Sequence, residues 1–306
     1  MNVSKTCNSA LSSPAEAYIY MTFYGLLFLS GLTLNVLALW VFCWRMKKWT
    51  ETRVYMVNLA LADSGLILLF PVVIYFAQAG CLEALSCQVP QGIYVVNAYM
   101  SISIPTVIGV DRYLAIRHPL KAKILRTPGR AAIICVFLWV VVVSMLSFRV
   151  VWQLQDGAFC FWKMSEIHMS MVVFSLLGFF IPLGILVFCT FQIVGSLWRV
   201  QKRELSRVRQ VRKSVYMVLA SLLVFVVCFL PLHITILLNF FLGSIDKFRK
   251  VFVIVTFLAN TNCCLDAVCY YFVAEEFQEM TPFFCLWWKR PRAGAQQDRM
   301  TCTTLM

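Results

Sequence analysis

Polar side chains that stand inside long apolar runs are the residues of this sequence best suited to chemistry. Asp63 and Asp266 are the deepest carboxylates, and Asn35, Ser101 and Asn262 stand at comparable depth. A charge submerged in lipid is costly, so each is a functional candidate. Two carboxylates with amide and hydroxyl neighbours can hold a Na⁺ ion at Asp63 or share a proton. The alternative is a structural polar network that joins helices, and the two interpretations are compatible.

A second candidate is the tripeptide Asp111-Arg112-Tyr113, which closes the third apolar run. The tripeptide alone occurs by chance, but its position at the edge of a run is much more specific. Arg112 can pair with Asp111 in a resting state and then swing to meet a partner protein. The alternative is that Arg112 only reaches up to the membrane interface.

The elements that must position these residues follow from hydropathy. The chain of 306 residues is 61% hydrophobic and 13% charged, with a mean hydropathy of +0.79, whereas a soluble domain carries about 25% charge. Each apolar run has about the 20 residues that cross a ~30 Å hydrocarbon core as a helix. The sequence therefore predicts an all-α membrane protein, a seven-transmembrane helix bundle. The runs are Tyr18–Phe42, Val54–Phe76, Ile93–Val110, Ala131–Val151, Met169–Ile193, Val215–Phe241 and Phe252–Phe272.

The basic residues predict the orientation of the bundle. Twenty of them follow the first, third and fifth runs or lie in the tail, against five on the other side. The positive-inside rule then places the N-terminus outside and the C-terminus in the cytoplasm. The net charge of +13 reflects this topology and attraction to an anionic inner leaflet, not nucleic-acid binding. We predict an extracellular tail over 1–17, the bundle over 18–273, and a short cytoplasmic amphipathic helix and tail over 274–306.

The polar residues and prolines together resemble the class A, rhodopsin-like, G protein-coupled receptors over the whole bundle. The resemblance rests on Gly31-x-x-x-Asn35, Leu59-Ala60-x-x-Asp63, Asp111-Arg112-Tyr113, Trp139, Pro182, Cys228-Phe229-Leu230-Pro231 and Asp266-Ala267-x-x-Tyr270, in this order. It implies a plasma-membrane receptor, not an enzyme, that promotes nucleotide exchange on a heterotrimeric G protein. Arrestin and a receptor kinase are the further implied partners. The residues implied to act as a switch are Pro182, Ile102, Phe225, Pro231 and Tyr270.

Three positions depart from the family pattern. Asp266-Ala267 stands where the family usually has Asn-Pro, so the proline distortion of helix seven is missing. Phe229 replaces the usual Trp, and Pro105 is unusual within the third run, where it favours a kink. No acidic residue between positions 207 and 215 is available to pair with Arg112. We therefore expect appreciable basal activity.

Residues outside the bundle suggest covalent modifications. The resemblance implies a disulfide between Cys87 and Cys160, which leaves Cys7 and Cys81 on the outer side for a hypothetical second bridge. Asn2 begins an N-glycosylation sequon. Cys285, among aromatic residues of the tail, is a palmitoylation candidate.

The ligand is approached first by exclusion. Amine receptors of the family carry an Asp where Tyr94 stands, and retinal proteins a Lys where Asn260 stands. Arg149 is the basic residue embedded near the expected pocket, and a guanidinium favours a carboxylate or phosphate ligand; the alternative is contact with the outer interface. His233 next to Pro231 is either a ligand contact or a packed neutral imidazole. The expected rim also includes Tyr94, Asn97, Ala98, Tyr99 and Phe229.

A finer resemblance is to a purinergic-like branch of the family. It implies acidic ligands such as kynurenic acid-like aromatic carboxylates or lysophosphatidic acid, and Gα subunits of the Gi/o and 12/13 classes. Ala98 stands where that branch shows a second arginine, which favours a different acid or a more lipid-like ligand as the alternative. An ion-coupled transporter using Asp63 and Asp266 is the rival class, although no internal repeat is visible.

Overall fold

The computed structural model describes residues 14–79, 84–156, 169–200, 205–242 and 245–271, and within these ranges every regular element is helical. The α-helices are Pro14–Trp40, Glu51–Ala79, Ala84–Arg117, Pro119–Leu125, Pro128–Asp156, Met169–Ser175, Ile181–Val200, Leu205–Leu242, Ile245–Asn260 and Asn262–Tyr271, with π-helical segments at Val41–Arg45 and Leu176–Phe180.

Seven helical stretches of the described chain are long and apolar enough to cross a membrane. They are, as first to seventh span, Ala15–Arg45, Glu51–Tyr75, Gly92–Arg117, Pro128–Ser147, Met171–Leu197, Val211–Leu242 and Lys250–Cys269. The prediction of an all-α bundle of seven spans is confirmed. The expected amphipathic helix within 274–306 lies outside the described residues.

The third span is the centre of the bundle, since it packs against the second, fourth, fifth and sixth spans. The first span packs against the second and the seventh, which closes the ring. The fourth span lies at the edge and exposes Ile133, Val136 and Phe137, as a lipid-facing helix must. Trp139 of this span donates its indole N–H to Asn58 Oδ1 at 3.1 Å and so joins the fourth span to the second.

The fifth span departs from regular α-helix close to Pro182. The fifth span begins with an α-helical turn, continues through the π-helical segment Leu176–Phe180, and resumes as α-helix at Ile181, one residue before Pro182. A π-segment of this kind often accompanies a functional site. The third span, in contrast, stays α-helical at Pro105, since Pro90 and Pro105 both lie inside the single helix Ala84–Arg117.

The seventh span is interrupted at Thr261, between the helices that end at Asn260 and begin at Asn262. The N–H of Thr261 is shared between the carbonyl oxygens of Phe257 and Leu258, both at 3.2 Å, and its hydroxyl donates to Leu258 O at 2.6 Å. The missing Asn-Pro pair led us to expect no proline distortion here. The structure shows an interruption of another kind, in which a threonine hydroxyl competes for a helix carbonyl.

Candidate functional site

The first site is a group of buried polar residues halfway along the bundle, here called the mid-bundle cluster (Asn35, Asp63, Asn97, Ser101, Asn262 and Asp266). Asp63 is fully buried. Its Oδ1 accepts hydrogen bonds from Asn97 Nδ2 at 2.9 Å and from Ser101 Oγ at 3.4 Å. Asn97 and Ser101 are four residues apart and therefore share one face of the third span. These bonds join the second span to the third.

The seventh span supplies the other half of this cluster. Asn262 Nδ2 donates to Asp266 Oδ2 at 2.7 Å, within one helical turn. Asn35 Nδ2 donates to Gly31 O at 3.0 Å and to Cys263 O at 2.9 Å, which joins the first span to the seventh. The helix that carries Asp266 packs against the second span, which carries Asp63. All five residues that the sequence grouped are thus buried on neighbouring spans, and Asn97 is buried with them.

Three oxygens of the mid-bundle cluster have no hydrogen-bond partner among the described residues. They are Asp63 Oδ2, Asn35 Oδ1 and Asn262 Oδ1, all buried. A buried carboxylate or amide oxygen left unpaired is costly, and oxygen donors of this kind suit a hard cation. The residues present therefore fit a bound Na⁺ ion.

The second site lies near the C-terminal end of the third span and is here called the Asp111 cluster (Glu51, Thr52, Asp111, Arg112 and Arg126). Arg112 Nη2 lies 3.0 Å from Asp111 Oδ2 and also donates to the Thr52 hydroxyl. The pairing of Asp111 with Arg112 is the one that the sequence suggested for a resting state. Asp111 is buried with 8% exposure, and Arg112 is partly buried with 16%.

Arg126 is a further residue of this cluster, and the sequence reasoning missed it. It follows the short helix Pro119–Leu125, and its Nε and Nη2 donate to Asp111 Oδ1 and Oδ2 at 2.7 and 2.9 Å. Its Nη2 also lies 3.5 Å from Glu51 Oε2. Burial by itself would lower the pKa of Arg126, but the hydrogen bonds and charge of Asp111 and the charge of Glu51 outweigh burial and raise that pKa. No spacing rule connects Arg126 to Asp111, because a loop separates them.

A stack of rings connects the fifth and sixth spans near Pro231. His233 is 7% exposed, and its Nδ1 lies 2.7 Å from Ser175 Oγ in a hydrogen bond. Its ring lies parallel to Phe179 at 4.1 Å between centroids, and Phe179 is stacked on Phe225 at 5.1 Å. Phe225 meets Phe229 edge-on at 6.1 Å. His233 is thus a packed side chain that bridges two spans, which matches one of its two expected interpretations.

The remaining expected ligand residues are divided between two places. Tyr94 packs beside the aromatic side chains of the first, second and seventh spans, where Asn260 Nδ2 donates to Tyr24 OH at 3.2 Å. Ala98 and Tyr99 pack on the core of the third span. Gly178 of the π-helical segment makes room for Tyr99, since a Cβ there would stand 2.4 Å from Tyr99 Cε1.

Two residues expected at the rim of the pocket lie deeper than that. Asn97 is occupied by Asp63, and Phe229 is 2% exposed within the core. A contact between either residue and a ligand stays a prediction. Of the switch residues, Ile102 and Phe225 are buried in the same core, and Pro231 lies inside the helix of the sixth span.

Several predicted sites are not placed by the structure. Those outside the described residues are Asn2, Cys7, Cys81, Cys160 and Cys285. For Cys87, Arg149 and Tyr270 the helix backbone is described and the side chain is not. The disulfides, glycosylation, palmitoylation and the anion contact of Arg149 stay predictions.

Comparison with known proteins gives consistent similarities over the whole bundle. A family model described as 7 transmembrane receptor (rhodopsin family) matches residues 34–270. G-protein coupled receptor 35 of Mus musculus is 48% identical over 284 residues, which cover 90% of this chain and 92% of that protein. The human G-protein coupled receptor 35 is 44% identical, with 98% of both chains covered. Lysophosphatidic acid receptor 5 of Bos taurus is 31% identical, covering 89% of this chain and 82% of that receptor.

Proposed function

The chain belongs to the rhodopsin family of seven-transmembrane receptors, and we propose that it binds an acidic small molecule on its outer side and activates a heterotrimeric G protein on its inner side. It is a multi-pass membrane receptor of class A and not an enzyme. The resemblance read from its motifs is confirmed at the level of the family, and the finer resemblance agrees with the similarity to G-protein coupled receptor 35. The ligand and the Gα class are the parts we propose.

The observation that carries the proposal is the buried arginine at the end of the third span. Arg112 is 16% exposed, and among the described residues it is held by one oxygen of Asp111 and the hydroxyl of Thr52. A guanidinium held by so few groups can be recruited by a partner protein at little cost. The basic residues of the neighbouring segments, which are predicted to lie inside, would add electrostatic attraction to the same partner protein.

The mechanism needs no covalent step. A ligand that binds the open state more tightly shifts the population toward it. We propose that the sixth span moves about Pro231 in this shift and opens a cleft around Arg112. The hydrogen bond between Ser175 and His233 and the ring stack through Phe179 join the fifth and sixth spans, so both must rearrange when the sixth span moves.

The ligand class rests on Arg149 and on one relative. The sequence predicts Arg149 near the outer end of the fourth apolar run, and an arginine in an apolar cavity favours a carboxylate or a phosphate. Lysophosphatidic acid is the ligand in the name of one relative. A kynurenic acid-like aromatic carboxylate or a lysophosphatidic acid is therefore proposed. The alternative, a more lipid-like ligand, is favoured by Ala98 of the third span, which packs on the apolar core and supplies no charge.

The mid-bundle cluster is proposed to bind Na⁺. Asp63 and Asn262 would hold the ion through their unpaired oxygens, and Asn35 lies in the same cluster. The ion would supply a positive charge that compensates Asp63. Asn97 and Ser101 keep the carboxylate oriented through its other oxygen.

Further features are proposed from the sequence and the family. They are coupling to Gi/o and 12/13 classes, an extracellular N-terminus and a cytoplasmic C-terminus, and recruitment of arrestin and a receptor kinase. The bridges Cys87–Cys160 and Cys7–Cys81, the glycan on Asn2 and the palmitate on Cys285 belong with them.

A G protein activation screen tests the ligand proposal. Cells expressing the wild type or Arg149→Ala are exposed to aromatic carboxylates, lysophosphatidic acid and neutral analogues of each. Arg249→Ala, which removes another arginine predicted on the outer side, is the matched control. We expect the acids alone to activate, and Arg149→Ala to raise the half-maximal concentration about tenfold or more, because a charged hydrogen-bonded contact is lost. Equal responses to the neutral analogues would contradict the anionic ligand.

A further inference from the structure

Arg126 competes with Arg112 for the carboxylate of Asp111. Arg126 binds both oxygens of the Asp111 carboxylate, at 2.7 and 2.9 Å, in the two-pronged geometry that favours arginine. Arg112 makes a single contact with the same carboxylate, at 3.0 Å to Oδ2. Oδ2 is therefore shared between two guanidinium groups, and Asp111 is engaged more fully by the distant arginine than by its neighbour in sequence.

The consequences for Arg112 are visible in its remaining contacts. Its Nη2 also donates to the hydroxyl of Thr52, and its Nε is buried without a hydrogen-bond partner among the described residues. A guanidinium with a buried N–H that lacks a partner is held weakly by its surroundings. Arg126 itself is fixed from two sides, because Glu51 of the second span lies 3.5 Å away.

We propose that Arg126 is a positioning residue for G protein activation, which occupies Asp111 in the resting receptor and so keeps Arg112 available to the partner protein. This inference rests on the proposed function. Because Arg126 shares the carboxylate, Asp111 attracts Arg112 less strongly than it would alone. Removing the positive charge at 126 leaves Asp111 to Arg112, which is then held more tightly in the resting state.

The direction of the change in activity when the charge at 126 is removed distinguishes a positioning residue from a simple loop anchor and from a residue that locks the resting state. If Arg126 merely fixed the loop helix Pro119–Leu125, its loss would reduce the amount of folded receptor. If Arg126 locked the resting state, its loss would raise basal signalling. A positioning residue lowers the fraction of receptor that is competent to bind the G protein, which weakens apparent G protein affinity in proportion.

The experiment measures ligand-free GDP release from a purified Gα heterotrimer by the full-length receptor in nanodiscs, over a range of heterotrimer concentrations. For Arg126→Gln we expect the half-maximal heterotrimer concentration to rise about 2- to 5-fold with an unchanged saturating rate, the range for a partly exposed ion pair. Arg126→Lys, which keeps the charge but not the fork, should give an intermediate shift. Arg130→Gln is the control for loss of a loop anchor. The guanidinium of Arg130 donates to the carbonyl oxygen of Ile124, which belongs to the same loop helix.

A second comparison isolates the path through Asp111. In an Asp111→Asn background, Arg126→Gln should leave the half-maximal concentration unchanged, because the shared carboxylate is already neutral. A lower half-maximal concentration, no change, or a fall in saturating rate alone for Arg126→Gln would each overturn the inference. If the wild type itself releases no GDP from any Gα, with or without added ligand, the proposed function has failed first, and that result is distinct from an active wild type with an inert Arg126→Gln.

Discussion

At the level of Asp63 the bundle surrounds a carboxylate with an amide and a hydroxyl, whereas at Asp111 it surrounds a carboxylate with two guanidinium groups. The first arrangement leaves Asp63 Oδ2 without a partner among the described residues. The second occupies both oxygens of Asp111, and Oδ2 twice. A buried charge short of partners can accept a cation, while a charge with two competing cations can release one. The two clusters are therefore suited to different tasks, ion binding and exchange of partners.

The largest effect is expected from neutralising Asp111, the carboxylate that pairs with two guanidinium groups. Asp111→Asn leaves Arg112 and Arg126 without their shared counter-charge, so Arg112 is free for the G protein. We expect basal signalling to rise about five- to tenfold, corresponding to about 1–1.4 kcal/mol for the lost charged pair. Basal accumulation of inositol phosphate or inhibition of cyclic AMP, normalised to surface expression, measures it; a fall in basal signalling at equal expression contradicts the release of Arg112.

The wild type should already show basal activity. The segment between positions 207 and 215 supplies no acid to hold Arg112, and Asp111 is shared with Arg126. Signalling in transfected cells without added ligand should exceed that of mock-transfected cells at increasing receptor density. Equality of the two at every density contradicts this expectation.

Neutralising the other carboxylate should instead remove a response to an ion. Asp63→Asn is nearly isosteric and can still accept from Asn97. In the wild type, replacing sodium by N-methylglucamine at constant ionic strength should lower the half-maximal heterotrimer concentration for GDP release about fivefold, the lower end of the usual coupling between sites. In Asp63→Asn this shift should vanish. The idea fails if the variant keeps the full sodium response, or if the wild type has none.

The smallest effect is expected where a neutral hydrogen bond joins two spans. Ser175→Ala leaves His233 Nδ1 without the hydroxyl at 2.7 Å, and a buried neutral hydrogen bond contributes about 1 kcal/mol. We expect a fall of a few degrees or less in the melting temperature of the purified receptor. Ser147→Ala is the matched control, because that hydroxyl is exposed and bonds to Val143 O of its own helix. An equal shift in both variants shows that the cross-span bond adds nothing.

The seven spans could be predicted because lipid imposes a length and an apolar composition on each of them. The same rule singled out Asp63, Asp266 and Arg112, since charges are rare in such runs. The association of Asn97 with Asp63 was missed, although Asn97 stands one helical turn before Ser101 and so on the same face. That spacing was the signal available.

Other features had no local signal. Arg126 reaches Asp111 from a loop, and its partner depends on how the short helix Pro119–Leu125 turns back toward the bundle. The interruption at Thr261 depends on a hydroxyl competing for a carbonyl, which many threonines in helices do without breaking them. The ring stack of Phe179 with His233 depends on the π-helical segment before Pro182, which changes the direction of the side chains.

The most direct measurement is the rate of GDP release from purified Gα heterotrimers mixed with the receptor in nanodiscs, comparing the wild type with Arg112→Ala. The account predicts that the wild type accelerates release from at least one Gα class and that Arg112→Ala returns the rate to that of empty nanodiscs. A wild type that accelerates release from none, in the presence of anionic metabolites and lysophospholipids alike, contradicts the account. So does an Arg112→Ala variant as active as the wild type.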